Sequence, residues 1–141
     1  MIAVVDTSVI LRLLFGEAEQ LAEWRQIERA WASRLLPVEL GRVIDRARLS
    51  GELDDVQVAA LHVEARRVLK SIDLVAISER ILVRASSAMP TVLGTLDAIH
   101  LATALELAAT TAPGVVLATH DVQLGRAARA SQLAVVGVPG V

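Results

Sequence analysis

Apolar positions along this chain fall into two rhythms, short β-branched runs and longer stretches in which they recur every three or four residues. Ile2-Ala3-Val4-Val5 reads as a buried strand, closed by Asp6-Thr7-Ser8 with a helix start behind it. Val9 to Phe15 continues as an apolar helix interrupted by Arg12 and broken by Gly16, and Glu17 to Glu28 has the pattern of an amphipathic helix. Ala30-Trp31-Ala32 is a short strand, Ser33 with Pro37 marks the next helix start, and that helix runs to about Leu49, with Ser50-Gly51 as its stop. Asp54-Asp55 opens a helix that carries Lys70 in its last turn, Leu74 to Ile77 is a strand, and Ser78 caps a helix with Glu79 in its first turn. Beyond a connector from Met89-Pro90 to Gly94, an Ala/Leu helix spans Leu96 to Ala109, and Pro113-Gly114 turns the chain into a strand from Val115 to Thr119. A helix from Val122 to Ala130 and a strand from Ala134 to Val138 close the pattern.

Strands and helices alternate throughout, which predicts an α/β fold, a three-layer α/β/α sandwich around a central, mainly parallel sheet. There is no repeat, low-complexity stretch or linker, so the expectation is one domain over residues 1–141.

Composition narrows the picture. Apolar residues make up 54% of the chain and aromatics only 2%, so the core is built from Val, Leu, Ile and Ala, a mix suited to a parallel sheet under Ala/Leu-rich helices. The apolar surplus also points to a surface that a partner covers. Cysteine is absent, which excludes disulfides and thiolate metal sites. The amino terminus carries no basic leader before Asp6, and no run of about 18 uninterrupted apolar residues occurs, so the expectation is a cytoplasmic protein without a membrane span.

A net charge of −2 gives no chain-wide support for nucleic-acid binding, although all 14 basic residues except Lys70 are Arg, the better bidentate phosphate partner. The acids carry more information. In open α/β sheets ligands bind outside the carboxyl ends of the strands, and Asp6 and Asp121 each directly follow a predicted strand. Asp97 falls in the first turn of the helix that Thr95 can cap, and Glu39 in the first turns of the helix entered at Pro37. Each alone reads first as a cap or a helix-dipole partner. Together, in apolar sequence surroundings, four such carboxylates stay ionised only with a cation. An oxygen-only set suits Mg²⁺ or Mn²⁺; zinc is disfavoured, because His62, His100 and His120 show no paired spacing and each reads as a packing or surface residue.

At Asp6-Thr7-Ser8, Glu39, Leu96-Asp97-Ala98-Ile99-His100-Leu101-Ala102 and Thr119-His120-Asp121 the sequence resembles the PIN-domain family, and within it the VapC toxins of type II toxin–antitoxin systems. The likeness runs from the first strand to Leu133-Ala134-Val135-Val136, with a slightly long connector from Thr110 to Gly114. It implies a PIN-like fold and an endoribonuclease using Mg²⁺ (or Mn²⁺), in which Asp6 and Asp97 are the principal metal ligands. Glu39 and Asp121 would complete the catalytic acidic cluster, and Ser8 and Thr119 match supporting polar positions. It further implies cleavage by activated water that leaves a 5′-phosphate and a 3′-hydroxyl. The expected partners are an RNA substrate, an antitoxin whose tail lies across the cleft, and a second copy in a homodimer.

Arg12, Arg42 and Arg46 are candidate phosphate contacts, because Arg42 and Arg46 follow Glu39 on one helix face and Arg12 lies on the helix behind Asp6. Val9–Phe15 with Leu21, Trp24 and Ile27 is a candidate antitoxin groove, and equally candidate core. Two other acid-after-strand designs fit poorly. A haloacid-dehalogenase-type phosphatase wants Asp where Ser8 stands, and a receiver domain wants a late Lys. No Gly-rich phosphate loop occurs. From another class, the alternative is a non-catalytic PIN-like module that only binds RNA or protein.

Overall fold

The computed structural model describes residues 1–139. Five strands form one sheet: β1 (Ile2–Val5), β2 (Arg29–Ser33), β3 (Ile72–Val75), β4 (Val116–Ala118) and β5 (Ala134–Val136), in the order β3-β2-β1-β4-β5. Every pairing is parallel. Six helices connect them: α1 (Thr7–Leu14), α2 (Leu36–Leu49), α3 (Asp55–Leu69), α4 (Glu79–Ser86), α5 (Thr95–Thr110) and α6 (Val122–Ala130).

Alternate side chains of each strand enter opposite cores. Ala3 and Val5 of β1 and Ala30 and Ala32 of β2 pack with Val9, Ile10, Leu36 and Leu40 from α1 and α2. Val4, Trp31 and Leu117 pack on the other face with Leu101, Ala104, Leu124 and Ala128 from α5 and α6. The central strand β1 is nearly dry, with Ala3, Val4 and Val5 fully buried. Its small and branched residues let helices close on both faces, which gives the expected three-layer sandwich.

Strand order reverses direction between β1 and β4, and this topological switch point is where an open parallel sheet leaves a crevice at its carboxyl edge. The backbone N–H of Asp6 donates to the Ala118 carbonyl at 2.9 Å, so the chain leaves β1 and β4 side by side.

Three expected elements differ. Residues 17–28 are a loop with one 3₁₀ turn (Trp24–Gln26) rather than an amphipathic helix. Gly16, at φ +63°, ends α1 with paired bonds from its own N–H to Leu13 and from Glu17 N–H to Arg12, which sends the chain away from the helix axis. Leu21 is still buried, and Trp24 and Ile27 still pack on the core from this loop, so their helical spacing reflects burial alone. β3 begins two residues before the expected Leu74, because it is an edge strand and tolerates Asp73, which pairs with Arg29 at 2.8 Å. β5 stops at Val136 rather than Val138, because Gly137 takes φ +93°.

Gly137 is a close approach as well as a turn. A methyl group added there would overlap the Thr119 carbonyl and stand 2.9 Å from Leu21 Cδ1. Gly137→Ala should therefore lower unfolding free energy by about 2–3 kcal/mol, through both the positive φ and the overlap. Urea unfolding measures this; an unchanged midpoint would mean that the β5 turn does not hold the end of β4.

Candidate active site

Four elements deliver one acid each to the switch-point crevice. Asp6 caps α1 directly behind β1, and Asp121 caps α6 behind β4, its carboxylate accepting from Leu124 N–H at 2.7 Å. Asp97 lies in the first turn of α5 and Glu39 in the first turn of α2. Thr95 is itself the first residue of α5, and the cap position is Gly94, with no side-chain cap; the expected Thr95 cap does not form. All four acids line one cleft of about 430 Å³ with Thr7, Ser8, Arg42 and Arg46.

The hydrogen bonding of these acids follows a rule. Asp6 Oδ2 accepts from Ser8 Oγ at 2.6 Å, Thr119 Oγ1 at 3.0 Å and Ser8 N–H at 3.2 Å, while its Oδ1 accepts no hydrogen bond from any described residue and stands 3.8 Å from His100 Nε2. Glu39 Oε2 accepts from Thr7 Oγ1 at 2.6 Å and His100 Nε2 at 2.7 Å, while its Oε1 accepts none. Asp121 holds Leu124 N–H through Oδ1 alone. One oxygen of each of these three carboxylates is tied to the protein and the other is left over. Asp97 accepts no hydrogen bond from any described residue. Thr119 also receives Asp121 N–H at 2.9 Å, so one hydroxyl links two of the acids.

The electrostatics match. Burial raises the pKa of Asp97, and the charges of Asp121, Asp6 and Glu39 push it further up, with His100 opposing. Glu39 goes the other way: burial would raise its pKa, but the bonds from His100 and Thr7 outweigh that and hold it below the usual value. His100 is 1% exposed, and burial disfavours its charge. Its bond to Glu39 and the nearby charges of Asp6, Glu39 and Asp97 overcome this and raise its pKa. Its Nδ1 is buried without a hydrogen-bond partner.

Ser8 and Thr119 thus sit where the sequence expected them, against Asp6. Arg42 and Arg46 reach the cleft, with Arg42 paired to Asp45 at 3.0 Å. Arg12 does not. It faces a different cleft, where Glu17 and Glu19 hold it at 3.6 and 3.3 Å. His62 lies on the exposed side of α3, and His120 turns its Nδ1 to the Gly137 carbonyl at 3.1 Å, away from the acids. The apolar sequence neighbours divide: Val5 and Leu36 are core, whereas Val38 and Leu96 are exposed on the cleft rim. Sequence reasoning missed two site residues, Thr7 and His100. The available signal for His100 was its place three residues after Asp97, on the same face of α5.

A divalent cation fits this donor set in chemistry. The acids offer hard oxygens only, three of them with a spare oxygen beside a tied one, and burial, with the charges of Asp121, Asp6 and Glu39 adding to it, raises the pKa of Asp97. Among the described residues no three ligating side chains are gathered tightly enough to grip a bare ion.

An all-parallel α/β sandwich with a carboxylate cleft at its switch point is the class of protein that fold and site define. A model described as the PIN domain matches residues 3–130. Ribonuclease VapC47 of Mycobacterium tuberculosis (strain CDC 1551 / Oshkosh) is 34% identical over 110 residues, covering 73% of this chain and 74% of its own. The chain belongs to the PIN-domain family, on its VapC branch. Solved structures share the fold. FitAB bound to an IR36 DNA fragment matches with a TM-score of 0.68 at 16% identity, over 95% of this chain and 93% of that one. VapBC2 from Rickettsia felis, bound to a DNA fragment from their promoter, matches with a TM-score of 0.64 at 11% identity, over 96% and 97%.

The charge imbalance has a measurable consequence. Because the folded-state pKa of Asp97 is raised, its ionised form at neutral pH disfavours folding relative to the unfolded chain. In EDTA at neutral pH, Asp97→Asn should raise Tm by roughly 1–3 °C, a modest gain because the half-exposed site is partly screened. Differential scanning calorimetry checks this; a lower Tm would show that the ionised Asp97 carboxylate does not disfavour the fold.

Proposed function

We propose that this protein is the toxin component of a type II toxin–antitoxin module, a Mg²⁺- or Mn²⁺-dependent endoribonuclease acting in the cytoplasm. The observation that carries the reading is the convergence of Asp6, Glu39, Asp97 and Asp121 on one cleft, with a single oxygen of three of them tied back. Membership of the VapC branch supports the ribonuclease activity, and the likeness in fold to a toxin–antitoxin complex from Klebsiella pneumoniae supports an antitoxin partner. Among the described residues no helix is long and apolar enough to cross a membrane.

In this reading Asp6 and Asp97 are the principal metal ligands, with Glu39 and Asp121 completing the shell directly or through water. A bound divalent cation supplies Lewis acidity for phosphodiester hydrolysis, acidifying water near neutral pH and offsetting charge on the phosphate. The chain's own residues provide the frame. Ser8 and Thr119 hold Asp6 by Oδ2, which leaves Oδ1 for the ion. The Leu124 N–H orients Asp121 in the same way. Arg46 lines the cleft with no ion-pair partner among the described residues, which supports a role for it in drawing an RNA phosphate past the acids. Arg42 shares that edge but already serves Asp45.

Two outcomes test the reading. Cleavage of RNA in Mg²⁺ should be abolished by EDTA and fall at least ~100-fold in Asp97→Asn with the fold intact. Cleavage that survives both would leave the non-catalytic binding module as the better account. For binding to a single-stranded RNA, measured in Ca²⁺ across a salt series, Arg46→Ala should reduce the log–log salt slope by about 0.7. Arg12→Ala, already satisfied by Glu17 and Glu19, should leave the slope unchanged.

A further inference from the structure

Glu39 differs from the other acids in what ties it. Asp6 and Asp121 are strand-end caps, held partly by backbone N–H groups of the helices that they start. Glu39 is already inside its helix, where no free backbone donor reaches its carboxylate, and it must be steered by side chains from elsewhere. Two do so, Thr7 from α1 and His100 from α5, and both donate to the same oxygen, Oε2. The His100 ring is 1% exposed, and its buried Nδ1 has no hydrogen-bond partner among the described residues. Burying an imidazole with one unsatisfied nitrogen is costly, and a hydrophobic side chain of similar size would pack without that cost. Among the described residues the ring makes one hydrogen bond, to Glu39 at 2.7 Å, and Asp6 Oδ1 stands 3.8 Å from the same Nε2.

We infer that His100 is a positioning residue that, with Thr7, clamps Glu39 by Oε2 and so aims Oε1 into the acidic cleft. This rests on the metal-site reading above. The clamp crosses the fold, joining α5 to α2 over the end of β1, and α5 also carries Asp97 one turn earlier. His100 thus fixes the relative placement of Glu39 and Asp97, two acids that otherwise repel each other.

The test is a Mn²⁺ titration of the full chain read by thermal shift, with no RNA present. Wild type should gain Tm with Mn²⁺ to saturation. His100→Leu should move the midpoint of that gain about 10–100-fold higher, the usual cost of losing a residue that orients a ligand. His100→Gln, which keeps an N–H donor at similar reach, should recover most of the difference. Thr7→Val should shift the midpoint in the same direction. In a Glu39→Gln background, His100→Leu should add no further shift, because the carboxylate that it aims is gone.

If His100→Leu and His100→Gln both lower the metal-free Tm and leave the midpoint in place, His100 is a core residue only. The inference is then wrong while the metal reading stands. A shift from His100→Leu that persists in full without the Glu39 carboxylate overturns it equally. Should His100→Leu not fold, an unchanged midpoint in Thr7→Val overturns the clamp. If wild type itself shows no response to Mn²⁺, the metal reading falls and the inference with it.

Discussion

Four carboxylates brought to one end of a parallel sheet repel one another, and the architecture of this protein is organised around holding them there. Burial raises the pKa of Asp97, and the charges of Asp121, Asp6 and Glu39 add to that shift. The counterweight is a set of donors that each take one oxygen: Ser8 and Thr119 on Asp6, Thr7 and His100 on Glu39, and Leu124 N–H on Asp121. A carboxylate tied by one oxygen cannot swing away from its neighbours, yet the other oxygen stays available. Asp97, which is tied by nothing, is where the strain collects, and a cation in the cleft would relieve it.

The core supplies the rigidity. β1 and β4 run side by side because small and branched residues, Ala3, Val4, Val5, Leu117 and Ala118, are fully buried between helices on both faces. Their pairing brings Asp6 and Asp121 to the same edge, and the Asp6 N–H bond to Ala118 fixes the register at the site itself. The rim is different in kind. Val38 and Leu96 leave their aliphatic side chains exposed beside the acids, so the cleft has a charged floor and an apolar lip. A binding partner that covers this mouth would need groups for both, which accords with the apolar surplus of the composition.

The sandwich, the strand-end acids Asp6 and Asp121 and the helix-start Asp97 could be read from local chemistry, whereas Glu39 rested more on the family pattern. A β-branched run followed at once by Asp marks a strand end, and two such ends in a parallel sheet share an edge. The misreadings come from contacts that local pattern does not encode. Leu21, Trp24 and Ile27 have helical spacing, but the Gly16 turn redirects the chain and they pack from a loop. Arg12 stands one helix from Asp6 in sequence, but it is drawn to Glu17 and Glu19 on the far side of the Gly16 turn. His100 lies in a run of Ile, Leu and Ala that looks like core, and it is core by burial. Its role depends on Glu39, which is 61 residues away in the chain and meets it only once the sheet has formed.

The most direct test of this account is a crystal of the protein soaked in Mn²⁺ and examined by anomalous diffraction. The account predicts an anomalous peak in the cleft at ligand distance from Asp6 and Asp97, with Oδ1 of Asp6 turned to the ion and Oδ2 still held by Ser8 and Thr119. A cleft without a peak at saturating Mn²⁺, or a peak reached only after Asp6 releases both hydroxyls, would contradict it.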